Sequence, residues 1–109
     1  MKDAPVILQV GHVQECAVHL RNLGFQVVHV PTLADGILAA ANGGFALAIL
    51  DLELPDSLGP DTFRRFATAV PGLPVVALMD QWQAVNPAEI IALGAQDCLQ
   101  KDHLTMPVL

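Results

Sequence analysis

The sequence predicts a doubly wound α/β domain, in which an open parallel β-sheet carries helices on both faces. Three observations lead to this fold class. Apolar runs without alternation recur along the chain, stretches of helical periodicity separate them, and turn residues lie at the boundaries. Continuous apolar runs are typical of parallel strands that are covered on both faces. A repeated strand–helix order implies right-handed crossovers and a single open sheet.

Five segments are predicted to be strands. Three of them are continuous apolar runs, and the other two are weaker candidates. In chain order the five are Val6–Val10, Gln26–Val30, Ala46–Leu50, Val75–Met79 and Asp97–Gln100. The second segment alternates in part, which favours an edge or half-covered position in the sheet.

Four helices are predicted between the strands. Apolar residues three or four positions apart mark the buried side of the first three. These residues are Val13, Cys16, Ala17 and Leu20, then Leu33, Ile37, Ala40 and Ala41, then Phe63, Phe66, Ala67 and Val70. The third helix begins at Pro60. The fourth begins near Pro87, after the N-cap Asn86, and ends at Gly94. Residues 80–85 form a loop.

Composition restricts the class of protein. The chain has 109 residues, the size of one domain, and no apolar run approaches the roughly 20 residues that span a bilayer. No signal peptide is apparent, so we expect a cytoplasmic protein without a membrane partner. A net charge of −6 with five Lys and Arg argues against nucleic-acid binding. Cys16 and Cys98 match no metal-site spacing and are expected to be reduced and packed.

The end of the chain is short for this fold. Only eight residues follow Lys101, too few for a complete fifth helix, so we expect a truncated last helix. Residues 1–109 are accordingly interpreted as a single domain, the N-terminal part of a longer protein.

Two opposite charges follow predicted strands. Asp51 comes after the third strand and Lys101 after the fifth, at the carboxyl edge where open parallel sheets bind ligands. A carboxylate at the mouth of a buried strand requires a cation, hydrogen bonds or water. The two residues are therefore predicted to form a charge pair. The spacing alone is equally compatible with a structural ion pair at the rim of the sheet that binds no ligand.

The residues around this pair form a longer pattern. Asp51 is followed by Leu-x-Leu-Pro and, eight residues on, by Gly59, while residues 93–101 form a second motif that ends at Lys101. The pattern resembles the receiver domains of bacterial response regulators over nearly the whole chain. The resemblance implies a flavodoxin-like or CheY-like fold with strand order 2-1-3-4-5. It also implies a non-enzymatic module of two-component signal transduction, in which Asp51 is the phosphoacceptor and Lys101 contacts the phosphoryl group.

Several positions depart from that family's pattern. In the family, Mg²⁺ is held by the acceptor aspartate and by an acidic pair after the first strand, and this pair is replaced here by Gly11 and His12. Met79 stands in place of a hydroxyl residue, Asp80 in place of a small residue and Cys98 in place of an aromatic switch residue. We therefore expect a degenerate pseudo-receiver with weak or absent Mg²⁺ binding and no other cofactor.

The main alternative is a divergent receiver that is still phosphorylated at Asp51. Glu53 and Asp56 follow closely, and Asp51 with Glu53 would be the metal ligands if there are any. A protonated His12 beside Asp51 is a further hypothesis, although an exposed loop histidine is the simpler one. A nucleotide-binding protein or hydrolase of the same architecture is excluded because the Gly-x-Gly-x-x-Gly, Walker and Gly-x-Ser-x-Gly motifs are absent.

The partners implied by the resemblance are proteins: a sensor histidine kinase, a C-terminal output domain or a second copy of the chain in a homodimer. In the family, the face that includes the fourth helix and fifth strand commonly mediates such contacts. Trp82, Val85, Ile90 and Ile91 are the candidates for it here. Local packing, or a Trp82 side chain folded over Asp51, would explain the same residues.

Overall fold

The computed structural model describes residues 5–11, 14–79 and 86–100. Strands and helices alternate along this part of the chain, as the sequence predicts, except that two short strands follow the third one. The elements are β1 (Val6–Val10), α1 (Gln14–Asn22), β2 (Gln26–Val30), α2 (Leu33–Ala41), β3 (Leu47–Asp51), β4 (Glu53–Leu54), β5 (Ser57–Leu58), α3 (Pro60–Ala69), β6 (Val75–Met79), α4 (Pro87–Ala92) and β7 (Asp97–Gln100).

Five parallel strands form the main sheet, in the order β2-β1-β3-β6-β7. This is the predicted order 2-1-3-4-5 for the five predicted strands, which is therefore confirmed. The partly alternating β2 lies at one edge, as expected. The third strand is shifted by one residue from its prediction, because Asp51 continues the ladder opposite Leu78 of β6. None of the four described helices has the length and apolar character of a membrane span.

The sheet is covered on both faces. The larger core cluster packs strand residues such as Leu8 and Leu50 against buried side chains of α2, α3 and α4, among them Phe66 and Ile90. A smaller cluster on the other face is made of Ile7, Ile49 and Leu78, with Leu20 of α1 and Phe25 packed against it. Each fully buried Leu, Ile or Phe side chain contributes about 1.5–3 kcal/mol to burial free energy. The predicted two-layer covering of an apolar parallel sheet is confirmed.

The predicted buried sides of the first and third helices agree with the structure where it can be compared. Ala17 is buried in α1, and Phe63 and Phe66 are buried in α3. The side chains of Val13 and Cys16 lie outside the described part of the chain. Helix α3 ends at Ala69, shortly before Pro71 and Gly72, and its arginines face solvent.

Helix α2 packs more closely on the sheet than the sequence predicts. Leu33 and Ala40 are buried as expected, but Ala41 is exposed and Gly36 is buried instead. The cause is helical geometry, since Gly36 lies on the same side as Leu33 and Ala40, whereas Ala41 is turned about 100° away from Ala40. A methyl group added to Gly36 would lie 2.7 Å from Cγ2 of Val10 in β1. Glycine is therefore what permits this close approach.

Helix α4 begins as predicted. The Asn86 side chain accepts a hydrogen bond from the Ala88 N–H, at 3.0 Å, and Pro87 occupies the first turn. Ile90 is fully buried in the larger core cluster, so its prediction as an interface residue is wrong; Ile91 is 45% exposed. Trp82 lies outside the described residues.

An antiparallel hairpin, β4–β5, follows β3 and was not predicted from the sequence. At its turn, the Asp56 carboxylate accepts hydrogen bonds from Leu33 N (2.9 Å) and Ala34 N (3.1 Å), in the first turn of α2. The Thr32 hydroxyl accepts a third, from Asp35 N. Three of the four N–H groups that a helix start leaves unsatisfied thus have partners. The hairpin after Asp51 is joined to α2 by this contact, which we call the Asp56 clamp.

The hydrogen bonds of the clamp affect the pKa of the Asp56 carboxyl group. Partial burial acts to raise the pKa of Asp56, but the hydrogen bonds from Leu33 and Ala34 outweigh this effect, with Arg65 adding to them. The pKa of Asp56 therefore lies below its ordinary value. A carboxylate near the N-terminus of a helix is also favoured by the helix dipole.

The substitution Gly36→Ala is expected to lower the free energy of unfolding by about 1–3 kcal/mol, because the added methyl overpacks against Val10. Helix propensity alone predicts a gain of about 1 kcal/mol at such a position. Urea unfolding of the wild type, Gly36→Ala, Val10→Ala and the double variant gives the coupling energy. If Gly36→Ala lowers the free energy of unfolding by the same amount in the wild-type and Val10→Ala backgrounds, the close contact is contradicted.

The substitution Asp56→Ala is expected to lower the free energy of unfolding by about 1 kcal/mol near neutral pH, with Asp61→Ala as the charge-matched control. A lowered folded-state pKa means that the contribution is complete above the unfolded pKa and is lost as the pH falls through the folded one. The difference between wild type and Asp56→Ala should therefore shrink below about pH 4. A pH-independent difference would show that the carboxylate charge has no role.

Candidate functional site

The predicted site residues gather at the carboxyl edge of the sheet. Gly11 follows β1, Asp51 ends β3 and Met79 ends β6. Strands β1 and β3 are neighbours, and the chain order of the strands reverses between them. In open parallel sheets, this edge at the reversal of strand order is where ligands bind. The structure therefore places Asp51 where the fold class predicts chemistry.

Asp51 is a buried carboxylate with a defined orientation. Only 4% of the residue is exposed, and its Oδ1 accepts a hydrogen bond from Glu53 N at 2.9 Å. The backbone around it is fixed on both sides, because Leu52 N donates to Leu78 O and Gly59 N donates to Leu52 O. A buried carboxylate has to be hydrogen-bonded in this way, since desolvation of an ionised group is costly.

Gly11 lies directly against this carboxylate. Its φ is +116°, a conformation that favours glycine, and its N–H donates to Val30 O at 2.9 Å. The His29 ring Nε2 donates to Gly11 O. A methyl group built on Gly11 would lie 2.5 Å from Cβ of Asp51 and 2.9 Å from its Oδ2. The Asp51 side chain therefore occupies the space in which a side chain at position 11 would have to lie.

Two further predicted positions are core residues. Met79 is 2% exposed and Cys98 is 8% exposed, and both belong to the larger core cluster. Burial raises the pKa of the Cys98 thiol, and the charge of Asp97 raises it further, so this free thiol stays protonated. A thioether and a buried thiol provide at most weak hydrogen bonds.

The remaining predicted residues divide into two groups. Glu53 is exposed on β4, where its N–H binds Asp51. His12, Asp80 and Lys101 lie outside the described residues. The Asp51–Lys101 charge pair and the His12–Asp51 pair therefore stay predictions.

The donor set can be compared with the needs of a magnesium ion. Mg²⁺ requires near-octahedral oxygen ligands and is held in proteins by carboxylates, substrate oxygens and water. Within residues 5–11, 14–79 and 86–100, no group of three His, Cys, Asp or Glu side chains could hold a metal ion. Gly11 supplies no side-chain oxygen, and the Asp51 side chain fills the space that a side chain at position 11 would need. The described residues do not fit a magnesium site.

Comparison with known proteins identifies relatives over most of the chain. The sequence profile of the response regulator receiver domain matches residues 9–106. The probable transcriptional regulatory protein SilR of Salmonella typhimurium is 34% identical over 82 residues, 75% of this chain and 36% of SilR. The swarming motility regulation protein RssB of Serratia marcescens is 31% identical over 78 residues, 72% of this chain and 36% of RssB. The chain thus matches about a third of the length of each relative.

Solved structures agree in fold. The signal receiver domain of a putative LuxO repressor protein from Vibrio parahaemolyticus has a TM-score of 0.74 at 25% identity, covering 96% of this chain and 87% of that one. The BeF₃-activated receiver domain of RstA from Klebsiella pneumoniae has a TM-score of 0.76 at 24% identity, covering 94% and 89%. Fold, motif order and sequence identity therefore agree, and the chain belongs to the response regulator receiver domain family of two-component signalling proteins.

Proposed function

We propose that this receiver domain is a pseudo-receiver, which signals through protein contacts without a switch driven by Mg²⁺-dependent phosphorylation of Asp51. The close approach of Gly11 to the Asp51 side chain is the observation that carries the proposal. The Asp51 side chain fills the space that a metal-ligating side chain at position 11 would need.

Electrostatics supports the same conclusion. A phosphoryl group on a carboxylate brings close to two negative charges to the site. Such charge is normally stabilised by a metal ion, by several kcal/mol. The neighbouring Glu53 adds negative charge, and the chain as a whole has a net charge of −6. Because the described residues do not fit a magnesium site, we expect acylphosphate formation at Asp51 to be unfavourable.

The surroundings of Asp51 also argue against a phosphorylation-driven switch. The resemblance to receivers leads us to expect a hydroxyl at position 79 and an aromatic side chain at position 98. Met79 and Cys98 are instead packed in the core, where neither offers a strong hydrogen-bond donor to a phosphoryl group. A rearrangement of these side chains on phosphorylation would have to disrupt core packing, which is costly.

Protein contacts are the remaining route for signalling. The relatives include a transcriptional regulatory protein and a motility regulator, so we propose that the domain acts in the cytoplasm on an output domain or a partner protein. Ile91 of α4 and Leu93, just after it, are each more than a third exposed, and we assign that contact to them.

Intact mass spectrometry after incubation with acetyl phosphate and Mg²⁺ tests the proposal. We expect no phosphoryl adduct on the wild type, as on Asp51→Asn, while a phosphorylatable receiver treated in parallel becomes modified. We also expect no change in the fluorescence of Trp82, the only tryptophan, on addition of Mg²⁺. An adduct on the wild type that Asp51→Asn lacks would overturn the pseudo-receiver and establish a divergent working switch.

The contact at Gly11 can be tested by stability. Gly11→Ala is compared with Gly94→Ala, since both glycines have φ near +120° but the nearest atom to a Gly94 methyl is Phe63 Cζ at 3.9 Å. The two substitutions therefore introduce similar backbone strain. Only the methyl group of Gly11→Ala is overpacked, against the Asp51 side chain. In urea unfolding, we expect the free energy of unfolding of Gly11→Ala to be about 1–3 kcal/mol lower than that of Gly94→Ala. Equal losses would show that the Gly11–Asp51 approach has no energetic consequence.

A further inference from the structure

Helix α2 is apolar on two sides. Its nine residues, Leu-Ala-Asp-Gly-Ile-Leu-Ala-Ala-Ala, include a single charged side chain, that of Asp35. The side that packs on the sheet is formed by Leu33, Gly36 and Ala40, which are buried. A surface helix normally presents polar side chains opposite its buried side, whereas a helix that is apolar all round is normally covered. The composition of α2 is thus that of a helix with a partner on more than one side.

A second apolar stripe lies on the outer side of α2. It consists of four residues spaced i, i+3, i+4 and i+7: Ala34, Ile37, Leu38 and Ala41. Residues with this spacing share one side of a helix. Ala34 and Ala41 are exposed, Leu38 is 68% exposed and Ile37 is half-buried. We call this set the α2 stripe. A leucine between two small residues is a surface on which the ridge of another helix can pack.

A groove of about 490 Å³ runs beside the α2 stripe, between α2 and α3. Ile37 lines the groove from α2. From α3 it is lined by Asp61, Arg64, Arg65, Thr68 and Ala69. Because Ile37 belongs both to the stripe and to the groove, the two form one continuous surface. A helix that lies on the stripe would therefore also contact side chains of α3.

The α3 side of this groove carries most of the positive charge in the described part of the chain. Residues 5–11, 14–79 and 86–100 contain three Lys or Arg residues, and two of them, Arg64 and Arg65, line the groove. Arg65 also acts on the Asp56 carboxylate of the clamp. Asp61 is the one acidic residue in the lining, so the lining keeps a single net positive charge. Elsewhere the chain is acidic, with a net charge of −6.

These charges favour an acidic partner over a second copy of the chain. A two-fold contact across α2 would place the arginine-lined grooves of both copies in one interface. Two chains that each carry −6 also repel one another. The four side chains of the stripe are few for a stable dimer, which buries roughly 1,200–2,000 Å² in total. A single amphipathic helix with carboxylates at the edge of its apolar side matches both the stripe and the arginines.

We propose that the α2 stripe and the adjoining groove dock an amphipathic helix of a partner protein, with its apolar side on Ile37 and Leu38 and its acidic side chains beside Arg64. Helix recognition of this kind uses anchors spaced i, i+3, i+4 and i+7. The surface is separate from the contact assigned to α4, and the inference does not depend on phosphorylation at Asp51. The stripe begins at Ala34, whose N–H donates to Asp56. A docked helix would thus lie next to the Asp56 clamp.

A display library of randomised helical peptides tests this surface on the whole chain. Peptides of about 16 residues are long enough, as helices, to span α2. We expect the enriched peptides to carry an apolar side flanked by Asp or Glu. Fluorescence anisotropy then gives their affinities for the wild type and two variants. Leu38→Gln should bind at least tenfold more weakly, a loss of about 1.4 kcal/mol. Leu58→Gln removes an equally exposed leucine from β5 and should bind as the wild type does.

The charge of the groove is tested separately. Arg64→Gln is compared with Arg21→Gln, which removes the same charge from the exposed end of α1. We expect Arg64→Gln to weaken peptide binding about twofold to fivefold, the range of an exposed ion pair, and Arg21→Gln to leave it unchanged. Peptides in which Glu is replaced by Gln should bind the wild type with the same loss.

The other outcomes overturn the proposal. If no peptide is enriched, or if the enriched peptides bind Leu38→Gln as tightly as the wild type, the stripe is not a docking site. Equal weakening by Arg64→Gln and Arg21→Gln would show general charge attraction only. A wild-type dimer in sedimentation equilibrium that Leu38→Gln dissociates would assign the stripe to a second copy of the chain instead. Amide NMR spectra establish that each variant is folded before its affinity is measured.

Discussion

A parallel sheet that is buried on both faces is the constraint on which this structure depends. The larger core cluster lies on one face, and α1 with the smaller cluster covers the other. Both faces of the inner strands must therefore be apolar, which leaves the carboxyl edge as the place for charged side chains. Asp51 lies at that edge, and Gln9, buried within β1, is the polar exception among the inner strands.

The same constraint explains why the sequence predicts the fold well. Apolar strands covered on both faces appear as continuous runs, and the helices between them show their buried side as a 3.6-residue period. Local signals such as Asn86-Pro87 and Pro60 place the helix starts correctly. Five strands, four helices and the strand order follow from this pattern together with the family resemblance.

Features that depend on tertiary distances could not be predicted. Gly36 reads as a weak position in a helix, and only the approach of α2 to Val10 explains it. The β4–β5 hairpin has two-residue strands, too short for a period to show. The position of Asp51 follows from its motif, but the contact with Gly11 depends on a φ angle that the sequence does not specify. In the sequence, the only indication of this contact is a glycine at a position where the receiver family has a carboxylate.

The missing side chain at Gly11 has two consequences that belong together. It removes a potential metal ligand, and it lets the end of β1 pack against β3 at Asp51. At position 11, glycine therefore offers no carboxylate oxygen and at the same time permits close packing at the carboxyl edge. A single residue accounts for both features.

The Asp56 clamp also determines how the loop after Asp51 can move. Two N–H groups of α2 share a single carboxylate, so the hairpin cannot lift away without exposing the start of that helix to water. Loop and helix are consequently coupled, and separating them costs the hydrogen bonds of the clamp, about 1 kcal/mol. A protein that binds α2 would therefore also affect the β4–β5 hairpin. Such a mechanical effect would require no change in the chemistry at Asp51.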